Sequence, residues 1–203
     1  MTAVHLRGDR GQTLPIYIWL TGILLFAAFA CFAFAQAASA RNGAQSAADA
    51  AALAAAQSAR DELMDHLGAA IGTDDNWLDW LDGVQRPEGA GADAAAQQLA
   101  AENDSTLQGR LQLGMRNGYP GYQASIQTNY TVGRSIIPGT EAKHATAHAV
   151  AVIQPRCDFD PAADPKKPVE LKCDGETLNI DPGDFDPGDL PDASVLFSVH
   201  LAE

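Results

Sequence analysis

Few residues in this chain of 203 have types and spacings that could do chemistry, and the clearest pair is made of cysteines. Cys157 and Cys173 stand with 15 residues between them and strand-like sequence on either side. We expect them to form a disulfide closing the Asp158–Lys172 loop. By chain entropy such a bridge adds about 3 kcal/mol, and it belongs to an oxidising compartment. Acidic residues are the second candidate: from Arg156 onward there are twelve Asp or Glu against four Lys or Arg. Asp158-Phe159-Asp160 and the duplication Asp181-Pro182-Gly183-Asp184-Phe185-Asp186-Pro187-Gly188-Asp189 bring hard oxygen ligands close together, as a calcium site requires. Neither has the twelve-residue frame or closing glutamate of a calcium-binding loop, and we read both as solvated acidic loops. His144 and His148 sit four apart in a strand-like run, where they would stand about 13 Å from each other, too far to share one zinc. Trp77 and Trp80, interleaved with Asp, could stack on a sugar, but a packed aromatic cluster is the simpler expectation. No Cys–His pair, Gly-x-Ser-x-Gly elbow or phosphate loop is present. We therefore name no catalytic residue, no metal ligand and no cofactor.

The elements that must position these residues divide the chain in two. Leu14 to Ala35 is a run of 22 residues without a charge, roughly 33 Å of helix against about 30 Å of hydrocarbon. Pro15 suits a first helical turn, and Tyr17 and Trp19 suit a headgroup layer. Arg7 and Arg10 precede the run and Arg41 follows it, so the positive-inside bias puts the N-terminus in the cytoplasm and the rest outside. Cys31 falls inside the run and reads as an inert thiol. Residues 36–68 contain no proline and are rich in Ala, Gln, Glu, Arg and Leu, which predicts one helix from about Leu14 to Leu67, interrupted at most at Asn42-Gly43. Of the 38 alanines, 27 lie in the first hundred residues, so much of the 46% hydrophobic content is methyl-sized. Small side chains let a neighbouring element approach closely, either a partner helix or the chain's own C-terminal domain.

Residues 69–122 read as helical and linker sequence, with a second short helix over Asp93 to Asn103 and breakers at Pro87, Gly89 and Gly91. From Gln123 the period becomes two. Ile126, Thr128, Tyr130 and Val132 mark one strand, Val150 and Val152 a second, and Val169, Leu171 and Cys173 a third. Leu178 and Ile180 mark a fourth, and Val195, Phe197, Val199 and Leu201 a fifth. The expected fold is α+β, with a transmembrane-plus-stalk helix followed by a small antiparallel sheet over residues 123–203. A net charge of −13 argues against a nucleic-acid partner.

The run Arg41-Asn42-Gly43-Ala44-Gln45-Ser46-Ala47-Ala48-Asp49-Ala50-Ala51-Ala52-Leu53-Ala54 directly follows an apolar span that is itself preceded by Arg10-Gly11-Gln12. Together they resemble the N-terminal signature of TadE/TadG-like Flp pilus-assembly proteins of the short actinobacterial type. Ser135-Ile136-Ile137-Pro138-Gly139-Thr140-Glu141 and Leu196-Phe197-Ser198-Val199 resemble those members too. The resemblance implies a pilin-like fold and a single-pass envelope protein, a minor component of a tight-adherence pilus or secretion machine. Its partners would be the membrane and other pilin-like subunits, met through the N-terminal helix. Arg41, Gln45, Ala47, Ala48, Asp49, Ala52 and Leu53 are the motif positions expected at that contact. A cut after Gly11 would leave Ile16 where type IV pilins carry glutamate, so pilin-type processing there is not supported. The alternative is a secreted binding module released by signal peptidase at Ala38-Ser39-Ala40.

Overall fold

The computed structural model describes residues 13–83, 85, 87–133, 139 and 142–202. Arg7, Arg10, Gly11, Gln12 and nearly all of the Ser135–Glu141 run lie outside the described residues. The expected long helix is present and unbroken: α1 spans Thr13–Ala70, 58 residues, and passes through Asn42-Gly43 without interruption. Its burial changes abruptly along its length. Every residue from Thr13 to Phe29 is exposed, whereas Ala44, Ala47, Ala48, Ala51, Ala52, Ala55, Ala56 and Ala59 are completely buried, followed by Leu63 and Leu67. Steps of three and four put these side chains on one stripe of the helix.

What covers the stripe is a twisted antiparallel sheet and a short second helix. Helix α2, Ala92–Glu102, lays Ala92, Ala96 and Ala100 against α1. Gly91 leads into it so close to Ser58 that a Cβ there would stand 2.7 Å from the Ser58 Oγ. The main sheet is built on two long strands, β3 (Tyr119–Thr131) and β4 (His144–Pro155), paired from Gly121↔Val152 onward. Two short strands, β1 (Ser105–Leu107) and β2 (Gln112–Arg116), lie end to end along the free edge of β3. Both occur within the stretch read from sequence as helix and linker, because neither is long enough to show a period of two.

After β4 the chain leaves the main sheet to form a separate three-stranded one. It consists of β5 (Cys157–Asp158), β6 (Val169–Cys173) and β7 (Glu176–Ile180). The last strand, β8 (Phe197–Leu201), follows a four-residue helix, α3 (Ala193–Leu196), and returns to the outer edge of β4. The five strands expected from Gln123 onward thus divide between two sheets, as pairing between β4 and β8 skips the intervening hairpin.

Alanine meets alanine at the centre of the domain. Ala145, Ala147, Ala149 and Ala151 alternate on one face of β4; Ala149 and Ala151 are buried, as is Ala124 on β3, in the same cluster as the α1 alanines. Methyl groups on both surfaces let the helix backbone lie close to the sheet. The larger side chains that anchor the domain are Tyr122 and Ile126, directly across from Ala151 and Ala147, together with Trp77, Leu81, Ile153, Leu171, Leu196 and Phe197.

Candidate functional site

The most unusual surface on the molecule is the first half of α1. Leu14, Ile16, Tyr17, Trp19, Phe26, Phe29, Phe32 and Phe34 are all more than half exposed, with Trp19 at 75%. It is the one helix among the described residues long and apolar enough to cross a membrane, and none of its most apolar 18-residue window is buried by the protein. Gly22 has nothing within 4 Å of where a Cβ would be. A continuous apolar rod of this size has no counterpart on an ordinary soluble monomer.

Where the rod joins the folded domain, the motif positions separate by role. Ala47, Ala48 and Ala52 are fully buried against the chain's own sheet, and Leu53 packs partly on the same core. Of the two occupants open to the small residues, the structure gives these positions to the C-terminal domain; a partner helix would have to displace the sheet to reach them. Arg41 and Gln45 are exposed. The amide of Gln45 donates to Asp49 Oδ1 at 2.8 Å and reaches the carbonyl of His148 on β4 at 3.5 Å, tying the helix to the sheet edge-on.

A local irregularity fixes the upper end of the sheet to the helix. The β3–β4 register shifts between Gln127 and Thr131. The buried Thr128 hydroxyl stabilises that shift by donating to the Tyr130 carbonyl at 2.7 Å and accepting from the Ala145 N–H at 3.1 Å. His144 contributes from the same rung, its Nδ1–H donating to the Thr128 carbonyl at 2.7 Å. The shift swings the Tyr130 hydroxyl onto Gly43, at a spot that only a residue without a Cβ leaves open. Gly43 therefore serves tertiary contact at the position where sequence alone marked a helix break.

At the far end the other candidates resolve into structural roles. Cys157 and Cys173 form a disulfide facing each other across β5 and β6, with Cα atoms 4.1 Å apart. Arg156 ties this hairpin down, its guanidinium pairing with Asp174 and donating to the Ser194 carbonyl at 2.8 Å. The acidic duplication makes two successive 3₁₀ turns, Pro182–Asp184 and Pro187–Asp189. Asp181 accepts from the Gly183 N–H and Asp186 from the Gly188 N–H, so each repeat caps its own turn. Asp192 does the same for α3, accepting from the Ser194 hydroxyl at 2.6 Å and its N–H at 2.8 Å. Those bonds, the hydroxyl first, hold the Asp192 carboxyl below its usual range. Among the described residues no group of three or more His, Cys, Asp or Glu is placed to hold a metal ion.

Trp77 and Trp80 do not share one open face. They sit in a 3₁₀ turn, Trp77–Trp80, in which Trp77 is fully buried and donates its indole N–H to the Pro165 carbonyl at 2.9 Å. Trp80 is half-buried and stacks on His66, ring centroids 5.1 Å apart. The pair is a packed cluster, not a ligand platform.

The apolar rod and the alanine-lined segment after it carry a likeness to a known family. Residues 11–58 match the family model of putative Flp pilus-assembly TadE/G-like proteins. The TadE/G-like segment is 48 of the 203 residues, and its described part lies entirely within α1, covering the exposed rod and the buried alanine stripe as far as Ser58. No curated protein and no solved structure matches the chain. The sheet and the disulfide hairpin are thus outside the TadE/G-like segment.

Proposed function

We propose that this chain is a membrane-anchored minor component of a Tad/Flp pilus-assembly or related secretion apparatus, working by helix packing and ectodomain contacts and catalysing nothing. One observation carries the reading: the TadE/G-like match falls on a helix whose apolar first half has no protein packed on it. In water that surface would drive aggregation; in a bilayer it is at home, and Gly22, Ala27, Ala28, Ala30 and Ala33 allow partner helices to approach along it. Because Ala47, Ala48 and Ala52 are taken up by the sheet, partner helices meet the chain within residues 14–35. Arg41, Gln45 and the exposed part of the helix near Asp49 form the rim of that contact.

The arginine bias supports a cytoplasmic N-terminus with the domain outside, and a disulfide is in keeping with that side. Photo-crosslinking from Phe26 in the native host tests the assembly role. Other Tad inner-membrane or pilin-like subunits are the expected products, and recovery of crosslinks to none of them overturns it.

A second reading has its own support. Among the described residues none before Ala40 is buried in the domain, so a cut after Ala40 would remove only that one buried methyl and release a soluble binding module. The intact mass of the native protein separates the two: loss of forty residues contradicts the anchor.

A further inference from the structure

Off the rod, the large apolar side chains that stay exposed among the described residues are Leu113, Met115, Tyr130 and Leu201. Tyr130 is seated on Gly43, and the other three line the two outer edges of the main sheet. Leu113 and Met115, 57% and 45% exposed, belong to β2, a strand with no buried residue. They share a face with Tyr122, which stands opposite Leu113 and is buried. The helix layer stops short of them, since α1 packs over β3, β4 and β8 and α2 over β1.

The backbone of β2 has an open side as well. Arg116 and Tyr119 flank a two-residue turn at Asn117 and Gly118, both with positive φ (53° and 87°), so theirs is a hydrogen-bonded rung. Alternation then turns the N–H and C=O groups of Gln112, Gly114 and Arg116 toward β3 and those of Leu113 and Met115 outward. Pro120 fits this phase, because it stands opposite Met115, at a rung where β3 needs no N–H for β2. Among the described strands β2 pairs with β3 alone. The usual protections of an edge are missing: β2 has no proline, no lysine and no bulge against β3.

The strand is self-complementary around Gly114. Turned by a two-fold axis at that residue, a second β2 runs antiparallel to the first, with Leu113 opposite Met115 of the copy and Gln112 opposite its Arg116. The outward groups then meet in two hydrogen-bonded rungs. Leu113 and Met115 of both copies gather on the face left open between the two helix layers, and each guanidinium meets a neutral amide instead of its own counterpart. The edge of β8 offers no such match. There the Phe197 N–H is already taken by the Ala193 carbonyl, and the equivalent pairing sets His200 against His200. A two-fold axis normal to a membrane also sends both rods to the same side, so this closed pairing suits an anchored chain.

We propose that β2 is a dimer edge that takes the β2 of a second copy of this chain, antiparallel and centred on Gly114, joining two domains in one sheet. The inference goes beyond the assembly role and does not rest on it, since the edge lies wholly in the domain. The two Gly114 residues would face each other at a non-bonded rung, Cα atoms about 4.5 Å apart, within the span of about 4.4–6.8 Å that a disulfide bridges. Nothing lies within 4 Å of a Cβ at Gly114, so a cysteine fits there. The test uses the full chain with Cys31→Ala and Gly114→Cys, the Cys157–Cys173 bridge intact, with detergent micelles in excess over chains. Mild oxidation should give a covalent dimer on a non-reducing gel, whereas Thr146→Cys, exposed on β4, should stay monomeric. Met115→Pro removes an outward donor and no bond to β3; Leu113→Lys charges the edge and leaves the backbone alone. Each should slow the crosslinking about tenfold, with near-ultraviolet circular dichroism of Trp77 confirming that the variants are folded. A Gly114→Cys chain that stays monomeric overturns the pairing, as does crosslinking that is equally fast from Thr146→Cys or unchanged by both edge variants. A Gly114→Cys chain that bridges faster to a His200→Cys chain than to itself puts β8 on this edge and overturns the two-fold arrangement.

Discussion

Ala51 tests whether the domain is mounted on its helix by close packing of methyl groups. It has no exposed surface and belongs to the cluster that joins α1 to Ala124, Ala149 and Ala151 of the sheet. Ala51→Gly removes one buried methyl, about 0.8 kcal/mol of transfer energy, and adds about 1 kcal/mol of helix penalty. The sum, about 2 kcal/mol, corresponds to a fall of roughly 4–8 °C in Tm for a protein of this size. Ala51→Leu puts three carbon atoms where there is no space; it forces helix and sheet apart and should destabilise by about 1–3 kcal/mol, although leucine is a good helix former. Ser46→Leu, on the exposed side of the same helix, should stay within about 0.5 kcal/mol of the parent. Thermal unfolding in detergent micelles, followed by near-ultraviolet circular dichroism of the buried Trp77, measures all three. An Ala51→Leu protein that melts with the parent, or a Ser46→Leu protein that falls as far, refutes the packing account.

Three further outcomes follow from other parts of the fold. Replacing Cys157 and Cys173 together by serine should cost about 3 kcal/mol, read as a lower denaturant midpoint than the oxidised parent. Trp77→Phe keeps most of the ring but loses the donor to the Pro165 carbonyl, and should cost about 0.5–1.5 kcal/mol, against about 3–5 kcal/mol for Trp77→Ala. Acid should weaken the fold through two exposed carboxylates. Asp192 is held below its usual range by the Ser194 hydroxyl and N–H, and Asp164 by the Lys167 ammonium and then the Lys166 N–H. Each binds its proton more weakly folded than unfolded, so its contribution is complete above the ordinary carboxylate range and fades as pH falls below about 4. The acid limb of an unfolding-midpoint titration should therefore flatten in Asp192→Asn.

The long helix, the apolar run and the second helix were readable because each rests on local chemistry. Twenty-two uncharged residues and an alanine-rich continuation without proline leave the backbone little else to do. The late strands were legible from their period of two, and the cysteines from their spacing between them. Strands β1 and β2 were not, since three and five residues hold too few alternations, and their pairing depends on β3 arriving from elsewhere. The alternation Ala145, Ala147, Ala149, Ala151 was a usable sign that β4 would face the helix alanines, hidden because alanine scores weakly as a strand former.

By itself, then, the sequence determined what kinds of surface this protein has: an apolar rod, a stripe of methyl groups, an alternating sheet and an acidic tail. Only the tertiary structure decided which surfaces meet. Small residues are equally ready to accept a partner helix or the chain's own sheet, and the covalently attached sheet takes them because its effective concentration at the helix exceeds that of any partner. The same closure buried Trp77 and used Gly43 to seat Tyr130 where the local code predicted a break. Local propensity cannot report such outcomes, because each depends on a group brought in from a distant part of the chain.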